Sequence, residues 1–197
     1  MSDPRPGRDS KTRAVLIEAA TQLLLEEGYA AVTTRKVAAK AGVNQALVYY
    51  YFRTMDELFL AVFRRGADAT VRRLERAAEA DQPLRALWEV SSEPRDSALT
   101  IEFLALAHHR QVVHAELVAY TRRYRRIQKE ILEHAVKSRA TDGGGPTPSA
   151  LAVLTVALSR GLAMDGMLGI TDGHDEILSL VEEQLARFEP LDDDPRP

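Results

Sequence analysis

Between Thr33 and Phe52 the chain carries a pattern that two short crossed helices satisfy and few other local structures do. Two helices meeting at close range need a small residue at the crossing and a glycine able to take a positive φ in the tight turn. They also need apolar side chains that lock the second helix against the first. Ala38, Gly42, and Val48 with Tyr51 meet those demands in that order. The hydroxyl of Thr33 can cap the first helix, with Val32 and Val37 placed as a hydrophobic staple. Asn44 can cap the second, which should end near Phe52.

With Val48, Tyr51 and Phe52 turned inward, helical spacing turns Gln45, Ala46, Leu47, Tyr49 and Tyr50 outward. The Gln45 amide suits a paired contact with adenine, and Leu47 suits a thymine methyl. Tyr49 and Tyr50 can donate to phosphates, and the helix starts at Thr33, Thr34, Arg35 and Asn44 can receive phosphate oxygens. An ordinary solvated helix face is the competing reading. Three adjacent tyrosines after a glycine turn expose more aromatic surface than such a face normally tolerates. Double-stranded DNA is therefore the expected partner.

Outside this segment strong helix formers dominate and no run of alternating β-branched residues occurs, so the expected fold class is all-α. A first helix is expected over Ser10–Glu27, with Leu16, Ala20, Leu23 and Leu24 on one face and Gly28 ending it. A long helix should follow over Thr54–Ala80, stopped by Asp81-Gln82-Pro83. Further helices are expected over Leu84–Val90, Asp96–His109 and His114–Arg139, the last with a seam of Leu117, Tyr120, Tyr124, Ile127 and Ile131. A Gly/Pro loop over 141–148 separates these from helices over Ser149–Leu168 and His174–Phe188. The Ser149–Leu168 helix is apolar nearly all round, so it must be covered on more than one side, by its own domain and by a partner chain.

Composition removes several classes of function. With no cysteine there is no disulfide framework, thiolate metal site or cysteine nucleophile, and a reducing cytoplasm is the natural compartment. The first residues are polar, without a signal-peptide core, and Leu151–Leu168 is interrupted by Ser159, Arg160 and Asp165, so no membrane segment is expected. Glu-x-x-His, His-Glu-x-x-His and Gly-x-Ser-x-Gly motifs and a phosphate loop are missing, so no enzyme, cofactor or metal is expected. The net charge of −3 conceals a division: residues 1–53 hold eight Lys/Arg against five Asp/Glu, and the remainder eighteen against twenty-four. A basic head on an acidic body suits a modular DNA binder.

Residues 28–58, GYAAVTTRKVAAKAGVNQALVYYYFRTMDEL, resemble the DNA-binding signature of the TetR/AcrR family of bacterial regulators. The likeness rests on the Thr-x-Arg, Ala-Gly-Val and Val-Tyr-Tyr-Tyr-Phe elements in that order. It implies an all-α homodimer with a three-helix DNA head, a connecting fourth helix and a ligand cavity among the middle helices. The function it implies is a ligand-responsive repressor on a palindromic operator, with a small-molecule effector. Residues 1–53 would form the head, with 1–9 a flexible arm; by their own charge Arg5, Arg8, Lys11 and Arg13 can follow the phosphates or enter the minor groove, with a disordered tail of scattered charges as the competing reading. Residues 54–190 would sense ligand and dimerise through the helices over 149–168 and 174–188, and 191–197 would be a disordered tail. Trp88, Phe103, His108, Tyr120, Tyr124, Met164 and Met167 are the expected pocket lining, because aromatics and methionines suit an adaptable apolar cavity, although each could be plain core. Met55 stands where such proteins often carry a phosphate-contacting lysine, and Arg53 is the expected substitute. Lys36, where an acidic residue is frequent, adds positive charge near the backbone. A helical-scaffold enzyme and an architectural DNA-binding protein without ligand are the alternatives.

Overall fold

The computed structural model describes residues 6–137 and 147–190, apart from the side chains of 6–9, 136 and 137. The expected arm through residue 5, most of the loop over 141–148 and the tail over 191–197 lie outside the described residues. Among the described residues there are nine α-helices and no strand. They are α1 (Pro6–Glu27), α2 (Thr34–Lys40), α3 (Gln45–Tyr51), α4 (Met55–Ala78), α5 (Pro83–Ser91), α6 (Pro94–His109), α7 (Gln111–Lys137), α8 (Pro148–Met167) and α9 (His174–Phe188). A single 3-10 turn, Tyr29–Ala31, joins α1 to α2.

The chain divides into two compact units, residues 1–68 with 98–120, and residues 69–97 with 121–197. The expected boundary at 53/54 separates roles, whereas compactness brings the start of α4 and parts of α6 and α7 to the N-terminal helices. The core of the first unit explains this. Leu16, Ala20, Leu23 and Leu24 bury the expected face of α1, and Val37, Val48, Leu58, Phe103, Leu106 and Val113 join them in one cluster. Burying a leucine or phenylalanine side chain is worth roughly 1.5–3 kcal/mol relative to exposure, so the short α2 and α3, marginal alone, are held by this shared core. Phe63 meets Phe103 and Tyr120 edge-on, at 4.9 and 5.4 Å between ring centroids.

Polar contacts fasten the same unit. Gly28 has φ +77° and ψ 167°, a conformation essentially reserved for glycine, and it turns the chain so that the Tyr29 N–H donates to the Glu102 carboxylate at 2.9 Å. Arg64 grips Glu116 with two hydrogen bonds, of 2.8 and 2.9 Å. Arg110 pairs with Asp56 while lying over the Phe59 ring.

In the second unit, Glu189 just past α9 accepts from the first amides of α5, Leu84 at 2.7 Å and Arg85 at 3.0 Å. A carboxylate there satisfies donors that the helix itself cannot. Thr147 caps α8, accepting from the Ala150 N–H at 3.2 Å. By length and composition α8 is apolar enough to cross a membrane, although Arg160 and Asp165 lie within it.

Candidate nucleic-acid interface and ligand cavity

The helix-turn-helix forms by local rules. Thr33 caps α2 by accepting from the Lys36 N–H at 3.3 Å, and Asn44 caps α3 by accepting from the Ala46 N–H at 2.9 Å. Between them Gly42 takes φ +66°; nothing lies within 4 Å of where a side chain would start, so backbone conformation and not space requires glycine there. Val37 and Val48 are both fully buried.

On the outer surface Thr33, Arg35, Asn44, Ala46, Tyr49, Tyr50 and Arg53 are exposed, and Thr34, Gln45 and Leu47 are half-buried. Tyr49 and Tyr50 keep 56 % and 65 % of their surface open, more than packing alone would leave on two aromatic rings. Three of the expected residues are linked: Gln45 Nε2 donates to Thr34 Oγ1 at 2.8 Å, and Thr34 Oγ1 donates to the Tyr49 hydroxyl at 3.3 Å. This chain fixes the Gln45 amide while leaving its oxygen and second N–H, the pair that adenine recognition uses. Sequence reasoning missed it, because positions 34, 45 and 49 come from two helices and no spacing rule couples them.

Several charges have local partners. Lys36 and Lys40 pair with Glu27 and Glu26 at the end of α1, so the positive charge expected from Lys36 is partly cancelled. Arg13, expected to extend the arm, lies over the Phe52 ring at 5.1 Å. The Arg53 N–H donates to Glu57, whose own N–H donates to Thr54 Oγ1, an arrangement that closes the start of α4 and leaves the Arg53 side chain exposed.

The second unit holds a cavity of about 340 Å³ between α5, α7, α8 and α9. Leu84, Leu87, Trp88, Leu132, Leu158 and Phe188 are among its walls, and Thr155 and Gln184 are its polar lining residues. Of the expected lining set, Trp88 is there. Tyr124 is mostly buried and bonded through its hydroxyl to Ser91 at 2.9 Å; burial pushes its phenol above the usual value, so it stays neutral. Phe103 and Tyr120 belong to the aromatic group of the first unit, His108 is exposed and meets His109 edge-on, and Met164 and Met167 are exposed. The contributions of α9 were not anticipated, since leucines at helical spacing read equally well as an interface.

Residues 16–62 match the sequence profile of bacterial regulatory proteins of the tetR family. The HTH-type transcriptional regulator BetI of Rhizobium meliloti (strain 1021) is 30 % identical over 131 residues, which is 62 % of this chain and 64 % of that protein. The HTH-type transcriptional repressor Rv3405c of Mycobacterium tuberculosis (strain ATCC 25618 / H37Rv) is 41 % identical over 81 residues, 41 % of this chain and 43 % of the repressor. The chain thus matches less than two thirds of the length of either curated relative. A regulator from Saccharomonospora viridis, solved in complex with choline, shares the fold with a TM-score of 0.73 at 19 % identity, covering 91 % of this chain and 95 % of that one. The two curated relatives are named as transcriptional regulators.

Proposed function

We propose that the chain, whose residues 16–62 match the profile of tetR-family bacterial regulatory proteins, is a cytoplasmic, ligand-responsive repressor that binds a palindromic operator as a homodimer. The observation that carries the DNA-binding part is the outward set on α2 and α3, where Gln45 is held by Thr34 and two tyrosines stand exposed. In this reading Gln45, Ala46 and Leu47 meet base edges. Thr33, Thr34, Arg35, Asn44, Tyr49, Tyr50 and Arg53 meet the phosphates and set the register. Residues 1–53 form the head, and 54–190 sense and dimerise.

Dimerisation is supported by apolar surface left open on the last two helices. Val153 and Leu154 on α8, and Leu178, Leu180 and Phe188 on α9, are all exposed, and α9 buries none of its residues. A two-fold partner presenting the same surface would cover them. Ligand response is supported by the cavity, of a size that suits a small molecule. Because α4, α6 and α7 each contribute residues to both units, a ligand that biases the second has continuous helices through which to act on the first. Coupling of about 1–3 kcal/mol would change operator affinity roughly 5–150 fold. A choline-like effector would find the rings of Trp88 and Phe188 but no Asp or Glu among the lining residues.

Selection of bound duplexes from a random pool, at fixed salt, tests the proposal. The expected product is an inverted repeat whose half-site centres lie about one helical turn, or a multiple of it, apart. Binding without any enriched sequence would contradict it.

A further inference from the structure

We propose that the cavity of the second unit is completed by a partner subunit: an uncharged apolar effector fills it and α8 of a second copy closes it, so that effector and partner each strengthen the binding of the other. The inference rests on the ligand-responsive homodimer reading above and makes the effector part of the interface.

The chemistry of the occupant follows from the walls. Among the described residues that line the cavity, none carries a charge. Thr155 already donates its hydroxyl to the Leu151 carbonyl at 2.9 Å, and Gln184 is exposed, where water serves its amide. An ionised group would lose its hydration there with nothing to offset the loss, whereas an apolar body gains by leaving water.

The closure follows from exposure. On the α5 and α7 side the walls Leu84, Leu87 and Leu132 are buried. On α8 and α9 the walls Leu154, Leu180 and Phe188 leave 61 %, 52 % and 38 % of their surface open. Wall residues left this open to water do not seal a cavity, so a molecule held among the four helices would keep one side wet. The open apolar surface also runs on along α8 to Val153, Ala157 and Met164, which do not line the cavity. A molecule inside cannot cover those three, whereas a protein face can. That face fits its own copy. A two-fold contact sets a surface against its own image, so a charged face would repel itself. None of the exposed residues of α8 from Ser149 to Met164 is charged, and Arg160 within that span is half-buried. Exposed carboxylates on α9, Asp175, Glu176 and Glu183 among them, leave α9 at the border of the contact and α8 at its centre.

Trp88, the single tryptophan of the chain, lines the cavity and reports on it. The uncharged fluorophore N-phenylnaphthylamine is titrated into the full-length protein and followed by energy transfer from Trp88. Anilinonaphthalene sulfonate, the same rings with a sulfonate added, is the charged counterpart, and it is expected to bind about tenfold more weakly. As the protein is diluted through the dissociation range found by sedimentation equilibrium, affinity for the uncharged probe should fall about tenfold, the effect of losing roughly 60 Å² of apolar burial. By reciprocity the probe should tighten the dimer by the same factor for each molecule bound. Val153→Glu with Ala157→Glu puts charge on the closing face and leaves every wall of the cavity in place, so it should give a folded monomer with that same loss of affinity. Ala135→Phe, which fills the cavity from α7, should abolish probe binding and leave the dimer. Dilution of the wild type makes the comparison without any variant if one of these misfolds. Equal affinity of monomer and dimer for the uncharged probe, tighter binding of the sulfonate, or no energy transfer at all would overturn the inference. Binding of the selected duplex by the wild type in the same solution would then leave the regulator reading standing, whereas a selection without enriched sequence strikes that reading itself.

Discussion

Val37 on α2 and Val48 on α3 are wholly buried, both helices are capped by a side chain, and Lys36 and Lys40 tie α2 to the end of α1 by ion pairs. In the second unit α9 buries none of its residues, α8 leaves Val153 and Leu154 open, a cavity stands between the helices and Gln128 has no partner. In the first unit the two short helices are closed by their caps and by a shared buried core. The second retains exposed apolar surface on α8 and α9 and a buried amide without a partner. The contrast suits the proposed roles: fixed geometry on the DNA-reading helices, and open apolar surface on the helices proposed to sense and dimerise.

The contrast can be broken first in the core. Phe103→Ala removes a fully buried ring that touches Phe63, and it should cost about 3–5 kcal/mol in urea unfolding. Leu180→Ala, on an exposed position of α9, should change the stability of a chain held monomeric by less than about 0.5 kcal/mol. Comparable losses at both sites would erase the distinction. Next in size, Leu154→Glu combined with Leu180→Glu should weaken association by about 2–3 kcal/mol and yield a folded monomer by sedimentation equilibrium. Thr33→Ala should cost about 1 kcal/mol by removing the cap of α2, read as a lower melting temperature of the head.

The smallest effect is electrostatic. The hydrogen bonds from Arg64 hold the Glu116 carboxyl below its usual value, so the pair stabilises the fold above the ordinary glutamate range and loses that contribution as pH falls through the lowered one. Arg64 is largely exposed, so Glu116→Gln should cost under about 1 kcal/mol at pH 7 and close to nothing at pH 3, read from urea midpoints.

What was legible in the sequence follows the range of the interactions. Three-four spacing and capping residues act within a helix, so the helices were foreseeable, as was the turn at Gly42 with its positive φ. The α1 helix begins at Pro6, ahead of the expected Ser10, because proline suits the first turn of a helix, where its missing N–H has no bond to make. Residues 98–120 joined the first unit through contacts no local pattern announces, such as Glu102 accepting from Tyr29. The cavity was harder still. Aromatic content pointed to Phe103 and Tyr120, which pack on Phe63, whereas the walls are mostly leucines whose spacing is the same whether they meet a ligand, a core or another chain. Gln128 follows Ile127 of the expected α7 seam without belonging to it, and only its burial without a partner distinguishes it.

The central claim is that α3, steadied by the Thr34–Gln45–Tyr49 hydrogen bonds, reads the operator. Gln45→Ala with Tyr49→Ala, measured by anisotropy on the selected duplex and on a scrambled one, tests it most directly. The account predicts a loss of about 1–3 kcal/mol on the selected duplex, little change on the scrambled one and an unaltered melting temperature. Equal affinity of the variant and the wild type for the selected duplex would contradict it.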